Sequence, residues 1–134
     1  MHGSTRKITR KRSATPFFAR WAPSLVVLRG RGEGSEYALE KQRVLLGRAD
    51  GVDLCLEDQA VSGTHASLEL NDGGFVLRDL KSTNGTRVNG DSVDVARLEH
   101  GDRIEIGDHL LQYVLEAVQA EPRGWRVSEE PTLS

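Results

Sequence analysis

The sequence predicts an all-β fold of the sandwich class, and three observations carry that prediction. Short apolar runs recur every 8–12 residues or so, with turn signals between them. Fourteen glycines stand beside only three Phe, two Trp and two Tyr, the composition of a turn-rich fold with an aliphatic core. No stretch sustains the 3.6-residue apolar period of a convincing helix.

The elements follow in order along the 134 residues. Residues 1–23 lack apolar periodicity and read as a disordered, basic N-terminal tail. A secretory signal is a poor match, because FFARWAPSLVVL is interrupted by Arg20 and Pro23. The folded domain is expected over residues 24–118. Leu25-Val26-Val27-Leu28 is a buried-type run closed by the glycine-rich Gly30 to Gly34. Tyr37 to Glu40 and Arg43 to Leu46 come next. His65 to Leu70 alternates at period two and stops at Asn71-Asp72-Gly73-Gly74, a hairpin signal with Phe75 to Arg78 as the returning strand. Ser92 to Val95, Arg103 to Ile106 and a long run from His109 to about Ala117 complete the set. Residues 119–134 read as an acidic C-terminal tail.

Charge is distributed unevenly. The first 23 residues carry Arg6, Lys7, Arg10, Lys11, Arg12 and Arg20 and no acid, for +6, while the rest of the chain sums to −8. An acidic domain argues against nucleic acid as a partner. The sequence has no run near the ~20 apolar residues that span a bilayer, so no membrane partner is expected and a cytoplasmic location is. Cys55, the single cysteine, lies in the alternating run Asp53-Leu54-Cys55-Leu56 and is expected to be a small core or strand residue. His2, His100 and His109 have no metal-ligand spacing, so no metal or other cofactor is expected.

The richest stretch is Asp79 to Gly90, DLKSTNGTRVNG. Two Asn-Gly pairs mark turns, because Asn tolerates and Gly prefers positive φ. The first is surrounded by hydroxyls and an amide. In a sandwich, alternate connections collect at one end, so Gly47-Arg48, the segment Val61 to Ala66 and the segment Lys81 to Thr86 can converge. Together they offer one guanidinium, the hydroxyls of Ser62 and Thr83, backbone N–H groups and the Asn84 amide. Such a set suits a phosphate monoester, since arginine forms forked charge-assisted bonds and hydroxyls take the remaining oxygens. Ser62 and His65, with Asp58 or Asp79 as orienter, raise a hydrolase reading. The extended Ser-x-x-His spacing supplies no strained elbow or oxyanion turn, so no catalytic residue is expected.

These residues resemble the forkhead-associated (FHA) family over about residues 24–118. The resemblance rests on Gly47-Arg48, Ser62 to His65, Asp79-Leu80 followed by Ser82 to Thr86, Val88-Asn89-Gly90, and Leu98-x-x-Gly101-Asp102-x-Ile104-x-Ile106-Gly107. It implies an eleven-stranded β-sandwich that binds phosphothreonine peptides through loops at one end. Position by position, it implies that Arg48, Ser62 and Thr83 contact the phosphate and that Asn84 holds the peptide backbone. Gly47, His65 and Gly85 would support the loops. Gly63 departs from the family, which usually has a longer polar or basic side chain there. Only its N–H is on offer, which implies a weaker or more open pocket.

The implied function is a phosphothreonine-binding adaptor in Ser/Thr kinase signalling or phosphorylation-dependent assembly. Its partner would be a phosphothreonine protein such as a Ser/Thr kinase or its substrate. A phosphate-independent interaction module of the same fold is the alternative. The tail adds one more expectation: Ser13 and Thr15 follow a basic cluster, and a phosphorylated Thr15 could reach the chain's own pocket.

Overall fold

The structure is a computed structural model and describes residues 16–118. Eleven strands run in the order β1 (Trp21–Arg29), β2 (Glu36–Ala38), β3 (Arg43–Gly47), β4 (Leu54–Cys55), β5 (Ala66–Asn71), β6 (Gly74–Asp79), β7 (Thr86–Val88), β8 (Asp91–Ser92), β9 (Val95–Arg97), β10 (Arg103–Ile106) and β11 (His109–Ala117). They form a six-stranded sheet, β2-β1-β11-β10-β7-β8, and a five-stranded sheet, β4-β3-β5-β6-β9. The expected eleven-stranded sandwich is the observed one.

Period-two alternation of burial marks β6 and β10, whereas β5 buries Ala66, Ser67 and Leu68 in succession. In β10, Ile104 and Ile106 are fully buried while Arg103 is exposed. In β5 and β6, Ala66, Leu68, Phe75 and Leu77 face inward across the β5–β6 hairpin. From the other sheet Leu25, Leu111 and Tyr113 meet them. Each fully buried aliphatic or aromatic side chain contributes about 1.5–3 kcal/mol of transfer free energy, which favours this register over a one-residue slip.

Three expectations need correction. The basic tail was expected to extend to residue 23, yet residues 16–20 form a helical turn and β1 begins at Trp21. The cause is aromatic burial: Phe17 is 5% exposed and packs edge-on against Phe75 at 5.9 Å. Residues 1–15 and 119–134, the remaining parts of the two expected tails, lie outside the described residues.

The run Ser92 to Val95, expected as one strand, is two. β8 belongs to the six-stranded sheet and β9 to the five-stranded one. The chain changes sheets between them, because the Val93 amide donates to the Thr86 carbonyl while the Asp94 carbonyl accepts from Asp79. Thr86 to Val88, which was not expected as a strand, is β7 and pairs with both β10 and β8. Cys55 lies in a strand, one of the two places expected for it. It is exposed on a two-residue edge strand, where its thiol donates to the Arg48 carbonyl at 3.4 Å.

Candidate functional site

β3 and β5 run antiparallel, so the end of one and the start of the other meet at the same end of the sheet. The Arg48 amide donates to the Ser62 carbonyl at 3.0 Å, and the Ala49 amide to the Gly63 carbonyl at 3.1 Å. The two loops therefore run side by side. Gly47 permits this approach, because a Cβ there would stand 2.0 Å from the Gly63 carbonyl oxygen. Gly63 itself is unconstrained: a Cβ there would meet only Ala49 Cβ at 3.8 Å, an ordinary contact.

The return of the Arg48 loop is clamped by Asp53. Its Oδ2 accepts from the Leu45 amide at 2.8 Å, and its own amide donates to the Leu45 carbonyl at 3.0 Å. A hydrogen bond from the Lys41 ammonium, then the Leu45 amide, holds the Asp53 carboxyl below the usual carboxylate range. Arg48 is exposed and takes part in none of the five salt bridges found among the described residues.

His65 joins this pair of loops to the third. Its ring is fully buried; Nδ1 accepts from the Ser62 amide at 3.0 Å, and Nε2 lies 2.8 Å from the Gly85 carbonyl. An acceptor at Nδ1 places the ring hydrogen on Nε2, which donates to Gly85. Two direct links reinforce the junction. The Thr83 amide donates to Ser62 Oγ at 3.0 Å, and Asn84 Nδ2 donates to the Ala60 carbonyl at 2.9 Å. Ser62 Oγ accepts one bond and keeps its hydroxyl hydrogen free to donate. Asn84 likewise retains its carbonyl oxygen and one N–H.

The third loop is organised by a residue whose support role the sequence did not reveal. Asp79 Oδ1 accepts from Ser82 Oγ at 2.6 Å and from Thr86 Oγ1 at 2.7 Å, while Oδ2 accepts from the Ser82 amide at 3.1 Å. Ser82 Oγ in turn accepts from the Gly85 amide at 2.9 Å. Burial pushes the Asp79 carboxyl up, but the hydrogen bonds from Ser82 and Thr86 together outweigh it and leave the group below its ordinary value. Gly85 turns through φ 84°, a conformation an L side chain would oppose, whereas Asn84 is not left-handed. Only the second pair, Asn89 and Gly90, places both residues at positive φ.

Asp58 plays the matching part in the loop before Ser62. Oδ1 accepts from the Ala60 amide at 2.8 Å and Oδ2 from the Asp108 amide at 2.7 Å. Those two N–H groups, Ala60 first, hold its carboxyl below the usual range. His109 is 2% exposed, with Nδ1 3.5 Å from Asp58 Oδ2. Neither Asp58 nor Asp79 hydrogen-bonds the His65 ring, so the orienter the hydrolase reading needed is missing from both positions. A short-range signal that could have found Asp79 was present, a carboxylate three residues before Ser82 and seven before Thr86.

The structure therefore gathers Gly47, Arg48, Ser62, Gly63, His65, Thr83, Asn84 and Gly85 at one end of the sandwich. Arg48, Gly63, Thr83 and Asn84 are exposed there, and Ser62 is half-buried. Ser13 and Thr15 lie outside the described residues.

A family model described as the inner membrane component of T3SS, cytoplasmic domain, matches residues 26–117. The glycogen accumulation regulator GarA of Mycolicibacterium smegmatis is 40% identical over 90 residues, which are 67% of this chain and 57% of GarA. The chain thus spans well under two thirds of that relative. An FHA domain solved in a structural and functional analysis of phosphothreonine-dependent FHA domain interactions superposes with a TM-score of 0.67 at 29% identity, covering 72% of this chain and 99% of that one. The FhaA FHA domain, solved in complex with the intracellular domain of Rv3910, gives a TM-score of 0.63 at 31% identity over 68% of this chain and 98% of that one. With almost the whole of that domain covered at this identity, the chain belongs to the forkhead-associated family.

Proposed function

We propose that the chain is a phosphothreonine-peptide-binding adaptor, with Arg48, Ser62, Gly63, Thr83 and Asn84 as the contact residues. The observation that carries this reading is the bond from the Thr83 amide to Ser62 Oγ, which brings two hydroxyl-bearing loops together beside Arg48. A phosphothreonine carries a charge of about −1.5 to −2 at neutral pH. Arg48 would take two of its oxygens in a fork, and the Ser62 and Thr83 hydroxyls with the Gly63 N–H would take the rest. Asn84 would fix the peptide main chain. The phosphothreonine-dependent FHA domain cited above supports this ligand class.

The same geometry favours binding over catalysis. His65 uses both ring nitrogens on backbone groups, and its bond to Ser62 goes to the amide rather than the hydroxyl. Among the described residues no side-chain base hydrogen-bonds Ser62 Oγ. The partner would be a phosphothreonine protein such as a Ser/Thr kinase or its substrate, met in the cytoplasm. Among the described residues no helix is long and apolar enough to cross a membrane.

Titration calorimetry with a phosphothreonine peptide tests the reading. Wild type should bind, the unphosphorylated peptide should not, and Arg48→Ala should lose thirtyfold or more, from a contact worth about 2–5 kcal/mol. Equal affinity for wild type and Arg48→Ala would falsify the pocket assignment.

A further inference from the structure

β11 starts at the binding loops with His109 and carries the chain to the opposite end of the sandwich, where Ala117 pairs with Trp21. An open groove of ≈ 470 Å³ lies there, lined by Phe18, Trp21, Pro23, Leu39, Glu40 and Val118 among others. Most of this lining is apolar. Val118, at 38% exposed, is one of two large hydrophobic residues that the described part of the chain leaves in water. Its amide donates to the Arg20 carbonyl at 2.9 Å, so the groove is where the chain leaves the sandwich.

We propose that this groove is the docking site for Trp125 of the chain's own C-terminal segment. The segment starts at the groove wall, and Trp125 is seven residues beyond Val118. Seven residues reach at most about 24 Å, and because Val118 is itself in the lining, that length lets Trp125 turn back onto the groove. The bulky apolar residues after Val118 are Trp125, Val127 and Leu133; the segment is otherwise rich in charged and small residues. A tryptophan side chain buries roughly 150–250 Å² and suits an apolar groove of this size. The local charges beside the tryptophan are complementary to the groove: Arg123 and Arg126 flank Trp125, the acidic residues of the segment lie farther from it, and Glu40 is the charged member of the lining. Tethering supplies an effective concentration on the order of millimolar, so a contact too weak for a free partner is populated in cis.

The chain has two tryptophans, so replacing Trp125 leaves Trp21 in the groove wall as the sole indole, observed by tryptophan-selective excitation. Full-length Trp125→Phe keeps an aromatic ring, and full-length W125A/V127A removes the apolar anchor. Iodide should quench Trp21 at least twofold more strongly in the Ala variant, with a red-shifted emission. In parallel, the amide resonances of Ala38 and Leu39 should shift between wild type and Trp125→Ala. Equal quenching together with unmoved Ala38 and Leu39 resonances overturns the proposal. So does protection that fades on dilution, which would place a second copy of the chain in the groove instead.

Discussion

The carbonyl oxygen of Gly63 occupies the space where a side chain on Gly47 would begin, 2.0 Å from that Cβ position. The contact is with backbone, so no rotamer change can relieve it. It holds the Arg48 loop against the Ser62 loop at a separation only a glycine allows.

Gly47→Ala should therefore separate the two loops. The bonds from Arg48 N to Ser62 O and from Ala49 N to Gly63 O would stretch or break. An overpacking cost of about 1–3 kcal/mol is expected. Thermal melts should show the loss, and calorimetry should show weaker phosphopeptide binding. An unchanged melting temperature would mean the loops can move apart freely.

Gly63 answers in the opposite sense. Its Cβ position meets only Ala49 at 3.8 Å and its backbone is not left-handed, so the fold does not require glycine there. Gly63→Arg should leave the melting temperature nearly unchanged while adding a cation beside the phosphate. A gain of about 1 kcal/mol, roughly fivefold in affinity, is expected for one solvent-exposed charge contact. Calorimetry showing no gain would mean that position 63 does not face the anion.

His65→Ala should act through stability first. The change leaves the Ser62 N–H and the Gly85 carbonyl without their partners and opens a void in place of a fully buried ring. A cost of about 2–4 kcal/mol is expected, read as a fall in melting temperature by calorimetry. Hydrogen exchange should show the Ser62 amide losing protection, a local signature that a general core defect would not single out.

Acid should loosen the binding end. The folded carboxyls of Asp58 and Asp79 both lie below their ordinary values. A depressed folded value contributes stability that is fully present above the unfolded value, about 3.9, and is lost as pH falls through the folded one. Melting temperature should hold between pH 7 and 5 and drop below about pH 4. Asp79→Asn should lower stability at pH 7 and flatten the acid limb. A melting temperature that rises between pH 5 and 3 contradicts this assignment.

Much of the candidate site was legible before any fold was known, because its parts are local. Arg48, Ser62, Thr83 and Asn84 sit in short motifs whose donors can be read off residue by residue. The strands β6 and β10 were legible for a similar reason: period-two burial leaves a clear mark on four to six residues. The break between β8 and β9 left none. Val93 and Asp94 satisfy backbone groups in different sheets, and nothing in their identities says so. Phe17 was likewise hidden, since the Phe17-Phe18 pair adjoins a basic segment and Phe17 becomes core only when Phe75 is there to receive it.

The Asp79 to Gly90 stretch shows where the division falls. By itself the sequence determined the donor chemistry, the turn at Gly85 and the family, because these depend on residue type and near neighbours. Only the tertiary structure decided that Asn84 reaches Ala60, that Thr83 N meets Ser62 Oγ, and that one buried imidazole holds both loops. Those bonds join residues about 20 positions apart. Their existence depends on two sheets packing in a particular register, which no local propensity specifies.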